Sequence, residues 1–506
     1  MLTLIVFLPL AACLVLLAMR HWDRDRAFRV AYGAVAATFV LSLVVLMGYD
    51  SGNGQMQFLN SAVWVPLLNI QYEVGVDGIS LWLLVLTAFL SVLAVGAARG
   101  QERNFRQFLA LLLLLETGTL GVFVALDTIL FYVFWELMLI PTYFLIGIWG
   151  EGRRVYATTK FVIYTLVGSL LMLVAIVWIT MVHYEATHEL TFDIQTLVHT
   201  HMPADVQLWM FACFFLAFAI KVPIFPFHSW LPHTYVACPI PVLIMLTGAM
   251  SKTGAYGLIR FCLPLFPEMV QDFALYIGAM AAGGIVYGAW IAVAQRDLKA
   301  LVAYSSISHL GFIVLGIFAI NGNGVNGSIL QMVNHGIIAS ALFLIVGMLE
   351  SRMGTRNLDD FCGLKGRMPV LYALFMLITL AALGLPGLNS FVGEFLILMG
   401  VWTSQSLAGM AAIFVLMGGL AIVFAAVYML YMFQGAMHEK TIKLPKDLKD
   451  IDRREQSLLI PACILAIFIG LFPGVFIDRM EPSVHSILHT EKTVNLPQHP
   501  DPHGGH

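Results

Sequence analysis

Charge is scarce in this 506-residue chain: 11% of its residues are Asp, Glu, Lys or Arg, against 60% hydrophobic. Soluble domains carry about 25% charged residues, so that class is excluded. Cysteine is scarce too. The six (Cys13, Cys213, Cys238, Cys262, Cys362 and Cys463) form no CxxC pair, which suggests neither an iron–sulfur site nor a disulfide framework. No glycine-rich nucleotide loop and no metal-ligand cluster is present. The 43 glycines are instead spread through apolar runs, where small residues let helices approach closely in lipid. The net charge of −3 offers no nucleic-acid face, because the basic residues are divided among short segments. The N-terminus, MLTLIVFLPLAACLVLLAMR, has no basic leader. Leu10-Ala11-Ala12-Cys13 has the look of a lipoprotein cleavage box, but Arg20 follows it and no charge precedes it, so a retained first helix is expected.

Long apolar runs are what the chain has in abundance. Fourteen lie near 2–19, 28–48, 79–98, 108–125, 128–148, 161–182, 206–227, 239–262, 272–294, 299–320, 326–349, 369–402, 409–434 and 457–477. Each approaches or exceeds the roughly 20 residues that a membrane helix requires. The run 369–402 is too long for one straight helix, and Gly384-Leu385-Pro386-Gly387 should break it. Of the 27 lysines and arginines, 22 fall in the loops after spans 1, 3, 5, 9, 11 and 13, and the connections 49–78 and 183–205 contain none. The positive-inside rule then sets both termini on the outer side. The expected fold is an all-α integral membrane protein of about 14 transmembrane helices. Segment 183–205 has room for an amphipathic helix at the outer surface, and 436–455 reads as a solvated cytoplasmic loop. The tail from Pro497, with three histidines, reads as a polar end, metal binding being the less favoured alternative.

The few charges inside the apolar runs are the functional candidates. An ionised side chain at the bilayer centre costs roughly 2.5–3.5 kcal/mol and is a functional-site hypothesis by default. Lys221 sits in WMFACFFLAFAIKVPIFPFHSWLP and Lys252 in IPVLIMLTGAMSKTGAYGLIRF, both beside prolines. Glu136 sits in LFYVFWELMLIP. Burial favours its neutral form and a neighbouring lysine the ionised one, so such a pair can toggle as a relay or lock helices statically. The relay is favoured, because buried pairs stabilise weakly. Glu116 divides evenly between relay and packing against a neighbouring hydroxyl, and Asp127 reads as a helix cap. His228, His309 and His335, with Ser305, Ser306, Ser308, Gln331 and Asn334, form a polar string in separate spans, read as a water-holding relay over satisfied core histidines. Glu394 follows the Pro386-Gly387 break, mirroring Lys221 beside its own broken helix. That is the cue for an inverted repeat of spans 4–8 on spans 9–13, with spans 7 and 12 discontinuous.

FYVFWELMLIPTYFLIGIWG, FAIKVPIFPFHSWLP, KTGAYGLIRF, DLKALVAYSSISHLGF and LPGLNSFVGEF together resemble the antiporter-like membrane subunits of respiratory complex I, over nearly the whole chain. The resemblance implies fourteen helices with two inverted five-helix repeats, dividing the chain into 1–107 (helices 1–3), 108–262 (first repeat), 263–435 (second repeat) and 436–506 (cytoplasmic loop, helix 14 and tail). It implies redox-driven proton translocation in the bacterial inner membrane, with membrane-arm subunits on both sides. No cofactor is expected in this chain, flavin, iron–sulfur clusters and quinone belonging to partner subunits. Glu136 and Lys221 resemble the family's paired glutamate and lysine, Lys252 its central lysine, and Glu394 the acid near the exit. His309 and His335 join them on the polar axis.

One segment departs from the pattern. The family reads WLPDAH and, two residues on, Ala-Pro-Thr; this chain reads Trp230-Leu231-Pro232-His233-Thr234-Tyr235-Val236-Ala237-Cys238-Pro239-Ile240-Pro241. An aspartate has become His233, a histidine Tyr235, and an extra proline enters span eight. The resemblance therefore assigns neither the route from the cytoplasm to Lys252 nor the host. A cation/proton antiporter, a membrane-bound hydrogenase or an inorganic-carbon uptake system are the alternatives. A non-transporting scaffold is the third reading, disfavoured by the insertion cost of so many buried charges.

Overall fold

The computed structural model describes residues 1–19, 21–361, 363–438 and 448–489. The tail from Pro497 and residues 439–447 of the charged loop lie outside them. The described chain is a stack of apolar helices: α1 (Leu2–Ala18), α2 (Arg24–Gly48), α3 (Gly78–Ala97), α4 (Phe105–Val124), α5 (Thr128–Trp149), α6 (Arg154–Thr187) and α7 (Ala204–Lys221). After these come α8 (Trp230–Ala237), α9 (Ile240–Leu265), α10 (Pro267–Val293), α11 (Leu298–Ile317) and α12 (Gly322–Met353). The last are α13 (Pro369–Ala382), α14 (Asn389–Trp402), α15 (Ala411–Met437), α16 (Arg453–Leu471) and α17 (Gly474–Leu488). Among the described residues twelve helices are long and apolar enough to cross a membrane, and α1, α13 and α14 are shorter apolar helices. The chain is thus a multi-pass membrane protein.

Two elements differ from the expected all-helical chain. The connection 49–78 contains an antiparallel hairpin, β1 (Gln57–Val65) and β2 (Ile70–Val76). Its turn holds Pro66 and Asn69, the latter at φ 51, a left-handed conformation that asparagine tolerates better than most. The last span also ends at Leu471, and α17 is a separate helix. Segment 183–205 yields the end of α6 and one helical turn, Ile194–Leu197.

The loops sort to two ends. Arg24 donates to the Arg99 and Gln101 carbonyls at 2.5 and 2.8 Å, Trp149 Nε1 to Arg103 O at 2.6 Å, and Arg352 pairs with Glu455 at 2.5 Å. These contacts gather the basic loops at one end. At the other, Asn69 Nδ2 donates to Leu190 O, Gln71 N to the Asp127 carboxylate, and Gly78 N to Ser483 Oγ. Hairpin, segment 190–200 and α17 therefore cap the opposite end.

Two helices are interrupted where prolines and glycines predict it. α7 stops at Lys221 and the chain resumes helix at Trp230, past Pro223 and Pro226. α13 stops at Ala382 and α14 begins at Asn389; between them Gly384 and Gly387 adopt φ of +76 and +92, which glycine alone adopts without strain. Lys221 ends the leading half of its broken helix, whereas Glu394 lies within the trailing half of its own. α9 packs directly on α7. A Cβ on Gly257 would lie 2.3 Å from the Phe218 ring, and one on Gly254 2.7 Å from Val222 Cγ2 and 3.0 Å from Lys221 Cβ. Glycine at both positions brings the two lysine-bearing helices into backbone contact.

Candidate functional site

α9 is not a regular helix. Two π-turns, Leu246–Met250 and Leu258–Cys262, bracket the stretch carrying Lys252; such widened turns recur at functional sites. Lys252 is 0% exposed. Its Nζ donates to Thr247 O at 2.5 Å and to Ser251 Oγ at 3.4 Å, and lies 2.6 Å from His335 Nδ1. Three acceptors match the three hydrogens of an ammonium.

The line continues from His335, on α12. With Nδ1 accepting from Lys252, the hydrogen of the neutral ring sits on Nε2, which is buried without a partner. The His309 ring, from α11, lies 5.6 Å away centroid to centroid. A small cavity of about 10 Å³ touches both rings and Ser305, Ser306 and Ser390, room for about one water. His309 Nδ1 is 3.0 Å from Glu394 Oε1, which also accepts from Gln331 Nε2 at 3.2 Å. Asn334 Nδ2 donates to Asn389 O at 2.8 Å and ties α12 to the start of α14, fixing the acid against the histidines. Lys252, His335, His309 and Glu394, from four helices, thus form one buried line whose members can each bind and release a proton.

The other candidates stand apart from that line. Lys221 is buried with its Nζ over the Trp135 ring at 5.0 Å and the Phe161 ring at 5.9 Å. Among the described residues no ion pair joins it to Glu136, whose Oε1 is buried without a hydrogen-bond partner; the carboxylate acts on the ammonium only at longer electrostatic range. Glu136 and Lys221 therefore stand separated here, the ammonium lying over the Trp135 ring. His228 lies in the α7–α8 break, stacked on Phe225 at 5.4 Å and edge-on to Tyr287 at 4.9 Å, its Nδ1 unpartnered. It does not join the other two histidines. Glu116 is buried and neither oxygen is hydrogen-bonded, since Ser91 beside it donates to Thr87 O at 3.0 Å. Asp127 caps α5, accepting from Ile129 N at 2.8 Å and Leu130 N at 3.0 Å.

One charged group counted with the loops from sequence is buried. Lys299, at the start of α11, is 1% exposed and pairs with Glu350 at 3.4 Å and Glu151 at 3.7 Å. Arg356 joins the same cluster through Glu151 at 3.0 Å and Asp297 at 3.2 Å. Toward the opposite end, Arg260 pairs with Asp77 at 2.6 Å and donates to Tyr256 Oη at 3.2 Å. Asp77 and Arg260 border a cavity of about 480 Å³ at that end. Residues 252, 256 and 260 are spaced four apart, so one helix face carries all three; that spacing was the available signal for Arg260.

Comparison with known proteins gives one answer along the chain. A family model described as NADH:quinone oxidoreductase/Mrp antiporter, TM, matches residues 125–421. NADH-quinone oxidoreductase subunit M of Rhodobacter capsulatus is 38% identical over 506 residues, covering 96% of each chain. A chain of respiratory complex I from Thermus thermophilus with bound NADH superposes at a TM-score of 0.88 with 30% identity, covering 96% of this chain and 99% of that one. A chain of the Mrp complex from Dietzia sp. DQ12-45-1b reaches a TM-score of 0.83 at 20% identity, covering 96% of this chain and 98% of that one, and shares the fold.

Proposed function

The chain belongs to the NADH:quinone oxidoreductase/Mrp antiporter family of membrane subunits, and on that premise we propose that it translocates protons in the membrane arm of an NADH–quinone oxidoreductase. The observation that carries this reading is the buried line from Lys252 through His335 and His309 to Glu394, with one water-sized cavity against the two rings. The Lys252 ammonium passes a proton to His335 Nδ1. Nε2–H of the same ring passes its own across the small cavity to His309, and His309 Nδ1–H hands one to Glu394. Each imidazole receives at one nitrogen and releases at the other, so the rings end neutral.

Glu136 and Lys221 act as the coupled pair in its separated arrangement. Closing the pair places a carboxylate beside α9 and favours the charged form of Lys252; opening it favours release. Quinone reduction in partner subunits, which hold the flavin and iron–sulfur clusters, supplies the driving force. The chain holds no redox centre in this reading. It lies between other membrane-arm subunits in a bacterial inner membrane, as fourteen spans with both termini on the outer side. Residues 108–262 and 263–435 form inverted five-helix repeats in which broken spans 7 and 12 correspond. The higher identity to NADH–quinone oxidoreductase chains, 38% and 30% against 20% for the Mrp chain, favours the first host over an antiporter.

Glu394→Gln keeps the hydrogen-bonding shape and removes the titrating group. The whole complex reconstituted in vesicles is expected to lose proton pumping while assembling normally. Pumping at the wild-type rate contradicts the relay.

A further inference from the structure

We propose that Tyr235 is the hydroxyl through which protons reach Lys252 from the basic, cytoplasmic end, its phenol passing each proton on to a bridging water. The proposal rests on the relay reading above. Tyr235 lies on α8, is fully buried, and its phenol oxygen has no hydrogen-bond partner. The hydroxyl faces the side chains of Thr247 and Ser251 on α9 without closing a direct bond to either. Thr247 Oγ1 is also buried and unpartnered. These two residues are the ones that hold Lys252: Nζ donates to Thr247 O and to Ser251 Oγ. The Ser251 hydroxyl spends its own hydrogen on Thr247 O at 2.9 Å, leaving its oxygen as an acceptor. Two buried hydroxyls without partners in one place are costly, and one water between them satisfies both. Phe343 meets the Tyr235 ring edge-on at 5.8 Å and fixes its direction.

The other flank of Tyr235 is ionic. The next three carbonyls of the chain are taken by the basic end: Val236 O by Arg356 Nη1 at 3.4 Å, Ala237 O by Glu151 N at 2.8 Å, and Cys238 O by Lys299 Nζ at 3.5 Å. The Glu151 side chain in this cluster is 54% exposed, so it meets bulk water while its partner Lys299 is buried. Tyr235 therefore stands between a solvent-touching carboxylate and the residues around Lys252. In the transfer, a proton arriving from the cluster binds the phenol oxygen as the phenol O–H gives its own to the water. The water gives one to the neutral Nζ of Lys252. One bond to hydrogen forms for each that breaks, and the net change is one proton moved onto the amine. This is the segment that departs from the family pattern, and the hydroxyl serves where that pattern has a histidine.

Tyr235→Phe removes one oxygen and keeps the ring against Phe343. In vesicles containing the whole complex, its initial rate of proton accumulation is expected to fall roughly tenfold or more, with subunit content unchanged. Tyr235→His, which restores a hydrogen-bonding group, recovers much of the rate; a purely packing role predicts the reverse order. Thr247→Val removes the facing hydroxyl from another helix and is expected to slow pumping likewise, so it carries the test if Tyr235→Phe does not assemble. Wild-type pumping in either assembled variant overturns the proposal. Lys252→Met separates it from the relay itself: if that variant stops pumping while Tyr235→Phe does not, only this intake route falls. If Lys252→Met also pumps normally, the relay reading falls with it.

Discussion

Arginine in place of Lys252 distinguishes a proton carrier from a fixed charge. The ammonium is 0% exposed and serves three acceptors, Thr247 O, Ser251 Oγ and His335 Nδ1. Arginine keeps the charge and the donors, but its guanidinium does not release a proton in proteins. Methionine removes both. Losing three hydrogen bonds at roughly 1 kcal/mol each costs about 3 kcal/mol. Withdrawing a charge from hydrocarbon depth gains roughly 2.5–3.5 kcal/mol. The terms cancel to within about 1 kcal/mol, so Lys252→Met should assemble, and subunit content read on a native gel checks it. Both variants are expected to pump at below about a tenth of the wild-type rate. The assay is dye-reported acidification of vesicles holding the whole complex, normalised to complex content. If Lys252→Arg pumps normally, a static positive charge suffices and the reasoning is refuted.

Other expectations concern the framework. Asp77→Asn retains the cap on α3 but strips Arg260 of its buried carboxylate, which should cost about 3–5 kcal/mol and lower the thermal midpoint of the detergent-solubilised complex; an unchanged midpoint speaks against a strong pair. Gly254→Ala sets a methyl 2.7 Å from Val222 Cγ2 and 2.9 Å from Phe218 O, so overpacking of about 1–3 kcal/mol is expected, and a thermal midpoint equal to wild type argues against tight α7–α9 contact. Burial, followed by repulsion from Asp193 and Asp127, holds the Glu73 carboxyl of the hairpin above its ordinary range. The folded chain therefore binds that proton more tightly than the unfolded one, and this contribution to stability is lost as pH rises through the raised value. Glu73→Gln should flatten that fall, seen as a smaller change in thermal midpoint between acidic and neutral pH; an identical pH profile contradicts it.

The helices were legible because an apolar run of membrane length has few other fates, and the two breaks because Pro223, Pro226, Gly384 and Gly387 stand where helices end. Lys252, His309, His335 and Glu394 were each legible as expensive groups in apolar runs. Their order in one line was not, because it depends on how α9, α11, α12 and α14 rotate against each other, a tertiary property. The separation of Glu136 from Lys221 was hidden for the same reason: the ammonium lies over the ring of Trp135, one residue along α5. Lys299 was read as a loop charge because DLKAL opens its helix, and burial came from Glu151 and Glu350 on distant segments. The hairpin carried a signal that was missed, two β-rich runs separated by Pro66 and Asn69.

The most direct test of the central claim is the rate of proton accumulation by vesicles holding the complex with His335→Gln. Glutamine can still accept from Lys252, but it cannot take a proton on one side of a ring and release it from the other. Accumulation is expected to fall to the level seen with an uncoupler while the complex stays assembled. Accumulation at the wild-type rate would show that protons do not pass from Lys252 to Glu394 through this histidine.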